Sequence, residues 1–196
     1  MKNTLALITI MIWPVIPLMW IPVHLATPFF RRLGRATYMM VAVLWSAAAY
    51  LIYINRDSIL AHKLNLEFAL SEAGMLLLIV GSLLHVWTAA LLTFPGIIGV
   101  NEIATPQKSK LVEAGPFSVV RHPTYLAHTI MFLGIFLFTG YVSVAVLTVI
   151  DFLVVSLIII PFEERELRLR FGAAYDDYMK RVPSPLPRCC SKTRRH

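Results

Sequence analysis

The chain has 196 residues, 58% of them hydrophobic and only 15% charged, with a mean hydropathy of +0.70. Such a balance excludes an ordinary soluble domain and predicts an all-α integral membrane protein of one domain. The net charge of +7 falls on membrane-flanking loops and on the last residues, without interleaved aromatic side chains, so anionic lipid headgroups and not nucleic acid are the expected partner.

Five apolar stretches stand out against the roughly 20 residues a helix needs to cross about 30 Å of hydrocarbon. They run near 4–26, 37–54, 68–92, 123–139 and 141–162, so about five transmembrane helices are predicted. The first holds Pro14, Pro17 and Pro22, which predicts a kinked or partly interfacial helix. It is too long for the apolar core of a secretory signal and is expected to be retained.

Five spans place the first loop (Arg31, Arg32, Arg35), the third loop (Lys108, Lys110, Arg121) and the tail on one side, leaving only Lys2, Arg56 and Lys63 of the 18 basic residues on the other. By the positive-inside rule that basic side is cytosolic. Within the spans, Gly74 and Gly81, seven apart, predict a close helix contact. Glu72, His85, His128 and Asp151 are the costly polar residues. Glu72 lies near the outer end of its helix, Asp151 is expected to face the bundle interior and find a partner, and His85 is read as helix packing. His128, one turn below Thr124, points under the motif described next and is a candidate for substrate contact.

Arg121-His122-Pro123-Thr124-Tyr125 stands where a basic loop enters the fourth apolar stretch. Pro123 suits the first turn of a helix, whose unpaired N–H groups beside Arg121 and His122 form a seat for a carboxylate or phosphate. Thr139-Gly140-Tyr141 leaves room only for a tight turn, so the fifth helix returns antiparallel and delivers Glu163 and Glu164 to the same interface. There a carboxylate can accept from ribose hydroxyls or an ammonium group. Beyond it, Leu167, Phe171, Tyr175, Tyr178 and Val182 form an apolar stripe, predicting a cytosolic amphipathic C-terminal helix with Gly172 as a cost inside it and Pro183 at its end. Its polar face, Arg165, Arg168, Asp176, Asp177 and Lys180, reads as solvated surface. Cys189 and Cys190, the only cysteines, are adjacent and give no disulfide framework; they read as free thiols, with lipidation the alternative.

Residues 109–183 resemble the superfamily of isoprenylcysteine carboxyl methyltransferases and phospholipid methyltransferases, which are integral membrane enzymes. The resemblance rests on Leu111-Val112, Gly115, the Arg-His-Pro-x-Tyr block at 121–125, Glu163-Glu164, Phe171-Gly172, Tyr175, Tyr178 and Arg181-Val182-Pro183. It implies that residues 1–100 are N-terminal spans, 101–183 the cofactor-binding catalytic part and 184–196 a basic tail. It also implies S-adenosylmethionine at the cytosolic interface and methyl transfer to a lipophilic or small membrane-accessible acceptor. Carried over by position, cofactor contacts come from Lys110, Leu111, Val112, Phe117, His122, Pro123, Thr124, Tyr125 and Glu163, with Arg121 a contact to lipid phosphate as an alternative role. No metal is implied. Glu164 and His128 are the candidate general bases for an acceptor that must lose a proton.

Three departures narrow the expectation. The chain has Ser109 where prenylcysteine enzymes carry His, Phe117 where they carry Tyr, and Ile159 where they carry an Arg that pairs with the substrate carboxylate. Without that cation a buried carboxylate is costly, which favours a neutral acceptor such as an amine, a thiol or a lipid headgroup. Sterol reductases share a similar C-terminal pattern with NADPH in the corresponding place, and a membrane reductase is therefore the alternative class.

Overall fold

The computed structural model describes residues 1–97 and 110–184. Lys108, Ser109, Cys189, Cys190 and the rest of the tail lie outside the described residues. Within them the protein is all-helical, apart from one isolated bridge between Lys63 and Tyr141.

The first apolar stretch is two helices, α1 (Lys2–Ile12) and α2 (Val15–Leu25), separated at Trp13-Pro14. Proline lacks the N–H that would continue the ladder, so the break falls where the sequence predicts. A short α3 (Thr27–Leu33) carries Arg31 and Arg32, and Gly34, at φ +55°, turns the chain into α4 (Ala36–Ile54). After the single turn α5 (Arg56–Ile59), the chain enters α6 (Phe68–Ile97), whose 30 residues exceed what a span requires.

The fourth stretch is α7 (Pro123–Thr139). Its 17 residues put it at the short end of spanning helices. Gly140, at φ +79°, caps it and reverses the chain within the predicted tight turn. The loop after α5 straps this turn: Leu64 N–H donates to Gly140 O at 2.8 Å and Val142 N–H to His62 O at 3.1 Å.

The return helix runs further than the predicted end at 162. It comprises α8 (Val142–Val154), one π-helical turn (Val155–Ile159) and α9 (Ile160–Phe171) without interruption. In the π turn Ile160 N–H bonds to Val155 O, five residues back, and Pro161 follows at once. A widened turn is one way a helix absorbs the proline's missing donor without ending. Four segments have the length and composition of membrane spans, Lys2–Leu25, Ala36–Ile54, Phe68–Leu92 and Val142–Phe171, and α7 is a shorter apolar helix beside them. The protein is an integral membrane helical bundle.

The predicted single C-terminal helix is instead two. Gly172 adopts φ +54°, a conformation closed to most side chains, and separates α9 from α10 (Ala173–Arg181). The glycine is therefore the corner of the structure and not a cost within a helix. The apolar stripe survives the corner because α10 folds back, packing Tyr175, Tyr178 and Val182 against Leu111, Leu167 and Phe171.

The most extensive packing joins α6 to α7. A Cβ placed on Gly74 would lie 2.5 Å from Phe138 N, and one on Gly134 would lie 2.6 Å from Leu78 N. At Gly81 a Cβ would meet Met131 at 2.7 Å. The Gly74–Gly81 spacing thus marks a close contact, as predicted, and Gly134 is its counterpart on α7. Asp151, 1% exposed, accepts a hydrogen bond from Trp13 Nε1 at 2.9 Å, so the buried carboxyl on α8 finds its partner at the break between α1 and α2.

Candidate functional site at the head of α7

His122 is the N-cap of α7 and Pro123 its first residue. The approach to this cap is fixed on two sides. Gly115, at φ +60°, opens a 3₁₀ turn (Gly115–Ser118); a Cβ there would meet Leu91 at 3.0 Å and Trp87 at 3.3 Å, so the backbone lies tight against α6. On the other side the Tyr178 hydroxyl donates to Phe117 O at 2.6 Å and Arg121 N–H donates to Pro183 O at 3.0 Å. The segment after α10 is thereby tied to the loop before α7. Tyr178→Phe leaves the Phe117 carbonyl buried without this donor and is expected to cost about 1–3 kcal/mol, read as a lower thermal unfolding midpoint in detergent.

Arg121 organises the cluster. Its side chain is 2% exposed, and it donates through Nε and Nη2 to Glu164 Oε1 at 2.9 and 2.7 Å and through Nη1 to Val182 O at 2.7 Å. The guanidinium is spent within the protein and does not face lipid phosphate. Glu164 Oε1 also stands 3.2 Å from His122 Nε2, while His122 Nδ1 lies 3.7 Å from Glu163 Oε2. The imidazole at 122 thus sits between two carboxylates delivered by α9. The two halves of the site, far apart in sequence, are brought within the reach of one small molecule.

The remaining predicted residues are distributed around this cluster. Phe117 and Pro123 are buried, Lys110 is exposed, and Leu111, Val112, Thr124 and Tyr125 are half-buried. Leu111 packs against Tyr175, Tyr178 and Val182. A column of rings descends from the cap into the bundle: His122 to Tyr125 at 6.0 Å, Tyr125 to His128 at 6.4 Å, and His128 to His85 of α6 at 4.8 Å. His128 therefore lies beneath the motif as its spacing implied, and His85 joins it there. Ile159 is fully buried in an apolar cluster with Val155 and Ile160, packed by Tyr125 and Trp20.

Several buried polar atoms here have no hydrogen-bond partner among the described residues: Glu163 Oε2, Thr124 Oγ1, Tyr175 OH, His128 Nδ1 and His85 Nδ1. Orphaned polar atoms are rare in folded proteins, and those of Thr124, Glu163 and Tyr175, near the start of α7, are candidates to meet a polar ligand. The donor set fits S-adenosylmethionine: a carboxylate for hydroxyl or ammonium groups, hydroxyl donors and an imidazole for a carboxylate, and aromatic faces for the base. Burial, and then the nearby Glu164 and Glu163, push the Tyr175 hydroxyl above its usual range, so it stays a neutral donor. In the sequence Tyr175 stands out as a stripe residue and as part of the family resemblance; nothing in the spacing reveals that it lies near the two carboxylates.

Fold and site together define a polytopic helical membrane protein with a carboxylate–imidazole cluster at the head of an apolar helix. The phospholipid methyltransferase family model matches residues 70–174, more than half of the chain, and the protein belongs to that family. The match begins in α6 and not at residue 109, consistent with α6 being the main packing partner of α7. Among curated proteins, Protein-S-isoprenylcysteine O-methyltransferase B of Arabidopsis thaliana is 30% identical over 122 residues, covering 60% of this chain and 59% of that one. The nickel-cobalt-cadmium resistance protein NccN of Alcaligenes xylosoxydans xylosoxydans is 27% identical over 113 residues, covering 52% and 53%. Methanethiol S-methyltransferase 2 of Bradyrhizobium diazoefficiens is 35% identical over 78 residues, covering 40% and 29%. The chain spans about half the length of the first curated relatives it matches. No solved structure matches.

Proposed function

We propose that the protein is an S-adenosylmethionine-dependent methyltransferase that acts at the cytosolic face of the membrane on a lipophilic or small membrane-accessible acceptor. The observation that carries this is His122 standing between Glu163 and Glu164 at the first turn of α7, ringed by unpartnered polar atoms, in a chain of this family. When bound, the cofactor supplies a methyl group already activated on a sulfonium, so the protein's work is alignment and exclusion of water.

His122, Thr124 and Tyr125 at the helix start, with Lys110 at the rim, hold the anionic end. Glu163 takes hydroxyl or ammonium groups through its unpartnered Oε2. Leu111, Val112, Phe117 and Pro123 supply apolar walls. Arg121 and Glu164 fix the orientation of His122, since one carboxylate oxygen meets both the guanidinium and the imidazole. For an acceptor that loses a proton, Glu164 and His128 are the bases. His128 is the better placed, because its Nδ1 has no hydrogen-bond partner whereas Glu164 Oε1 is engaged three times over.

Ile159 favours a neutral acceptor. It is buried among Val155, Ile160, Trp20 and Tyr125, a place that offers no cation for a carboxylate. A thiol or an amine suits such surroundings, and one relative's name specifies a thiol.

The test has two parts. His122→Ala is expected to weaken S-adenosylhomocysteine binding roughly 10- to 100-fold, the worth of one or two hydrogen bonds to charged groups, with little change in unfolding midpoint. Unchanged affinity removes His122 from the site. Transfer of radiolabelled methyl from S-adenosylmethionine into lipid extracts and, separately, into small thiols and amines then identifies the acceptor; label in none of these pools contradicts the proposal.

A further inference from the structure

Two histidines meet inside the bundle, one from each of its most extensively packed helices. His85 of α6 and His128 of α7 have ring centroids 4.8 Å apart and planes tilted by 34°. One turn before His85 is Gly81, where a Cβ would meet Met131 Cγ at 2.7 Å and Ala127 O at 3.1 Å, so the two helix backbones touch beside the pair. Backbone contact thus fixes the spacing from which both side chains project. Tyr125 at 6.4 Å and Phe132 at 6.2 Å flank His128 on α7, and Tyr125 links it to the His122 cap at 6.0 Å.

An imidazole within a membrane bundle is costly and marks a functional site by default. Nδ1 of each ring is buried and makes no hydrogen bond among the described residues. Two such rings take up one proton as a unit, because a protonated ring can donate to the bare nitrogen of its neighbour. Both residues keep accessible surface, and exposed Val86 and Trp87 follow His85 on α6. The approach is therefore apolar. Among the described residues, the histidines paired with carboxylates are His24 and His122, not these two.

We propose that His85 and His128 form one proton-accepting unit for a thiol acceptor, His128 touching the thiol and His85 sharing the proton behind it. This rests on the methyltransferase reading above and names the class of its acceptor. A thiol and an imidazole are matched in acidity, at about 8.5 and about 6.5 for the free groups, whereas an ammonium at about 10 is too weak an acid and a carboxylate has no proton to lose. In the transfer the thiol S–H bond breaks and its proton passes to the pair. The sulfur electron pair forms the new S–CH₃ bond as the methyl–sulfonium bond breaks, leaving S-adenosylhomocysteine. The positive charge lost at the sulfonium reappears on the two imidazoles, so the net charge of the site is unchanged. His85, which reads as helix packing from the sequence, becomes a positioning residue for the base.

The test compares two thiols of similar size: benzyl mercaptan, still protonated at neutral pH, and thiophenol, mostly ionised there. Radiolabelled methyl transfer from S-adenosylmethionine is measured with the full chain in detergent, alongside binding of S-adenosylhomocysteine. His85→Phe is expected to lower the ratio of benzyl mercaptan to thiophenol turnover about 10-fold and His128→Phe about 100-fold, the low end of what a positioned base contributes, with S-adenosylhomocysteine still bound. His85→Gln, which stays polar but cannot take the proton, is expected to follow His85→Phe. An unchanged ratio in both His85 variants overturns the role of His85, and loss of S-adenosylhomocysteine binding in both makes the residue structural and overturns it equally. Wild-type protein that binds S-adenosylhomocysteine but methylates neither thiol overturns the thiol assignment and leaves the cofactor reading standing. Wild-type protein that does not bind S-adenosylhomocysteine overturns that reading itself.

Discussion

Arg121→Met is expected to destabilise the protein by about 3–5 kcal/mol, the cost of leaving a buried ion pair with one partner. The guanidinium satisfies Glu164 Oε1 through two nitrogens and the carbonyl of Val182 through a third, with a longer contact to Met179 O at 3.4 Å. Methionine fills most of the volume but donates nothing. Glu164 is then left with His122 alone, and the segment after α10 loses its side-chain tie to the head of α7. Loss of the tie also frees His122, so nucleoside affinity is expected to fall together with the unfolding midpoint in detergent. The double variant Arg121→Met/Glu164→Gln separates the two effects. By removing the uncompensated charge, it is expected to recover part of the stability and little of the affinity. A single variant with the wild-type midpoint contradicts this role for Arg121.

Gly134→Val is the second substitution with a large expected effect. The first added carbon would stand 2.6 Å from Leu78 N and 2.8 Å from Gly74 O, both backbone atoms that no rotamer change can move. Helices α6 and α7 must separate, and the β-branch adds to the shift. Overpacking a tight contact typically costs about 1–3 kcal/mol, and a clash with backbone lies at or above the upper end. The consequence reaches the site because α7 begins at His122 and α6 seats Gly115. The variant is expected to show a lower unfolding midpoint and weaker nucleoside binding. Gly134→Ala, which adds the same first carbon without the branch, should fall between. Wild-type behaviour of the valine variant contradicts the close contact.

Much of this architecture is legible in the sequence because lipid imposes simple rules. Apolar length marks the spans, Pro14 marks the break in the first, and Gly140 marks the tight turn that brings α9 back beside His122. Asp151 announces a buried partner because a carboxyl inside a span needs one, though only the fold reveals that the partner is Trp13. The juxtaposition of His122 and Glu163 follows from the same reversal of direction. What the sequence conceals depends on local backbone detail and long-range pairing. Val155–Ile159 looks like any apolar helix, and the π turn arises from its position before Pro161. Gly172 reads as a tolerated glycine until its positive φ shows a corner. The pairing of Arg121 with Glu164 joins residues 43 apart, and His24 with Glu166 joins the first span to the last; neither has a periodic signature.

The claim on which the functional proposal rests is that the cluster at His122, Glu163 and Glu164 holds the nucleoside of S-adenosylmethionine. Titrating the detergent-solubilised protein with S-adenosylhomocysteine and, separately, with NADPH tests it most directly. Micromolar binding of S-adenosylhomocysteine, lost in His122→Ala, with no binding of NADPH, is the predicted result. Binding of NADPH with none of S-adenosylhomocysteine would contradict it and place the protein with membrane reductases.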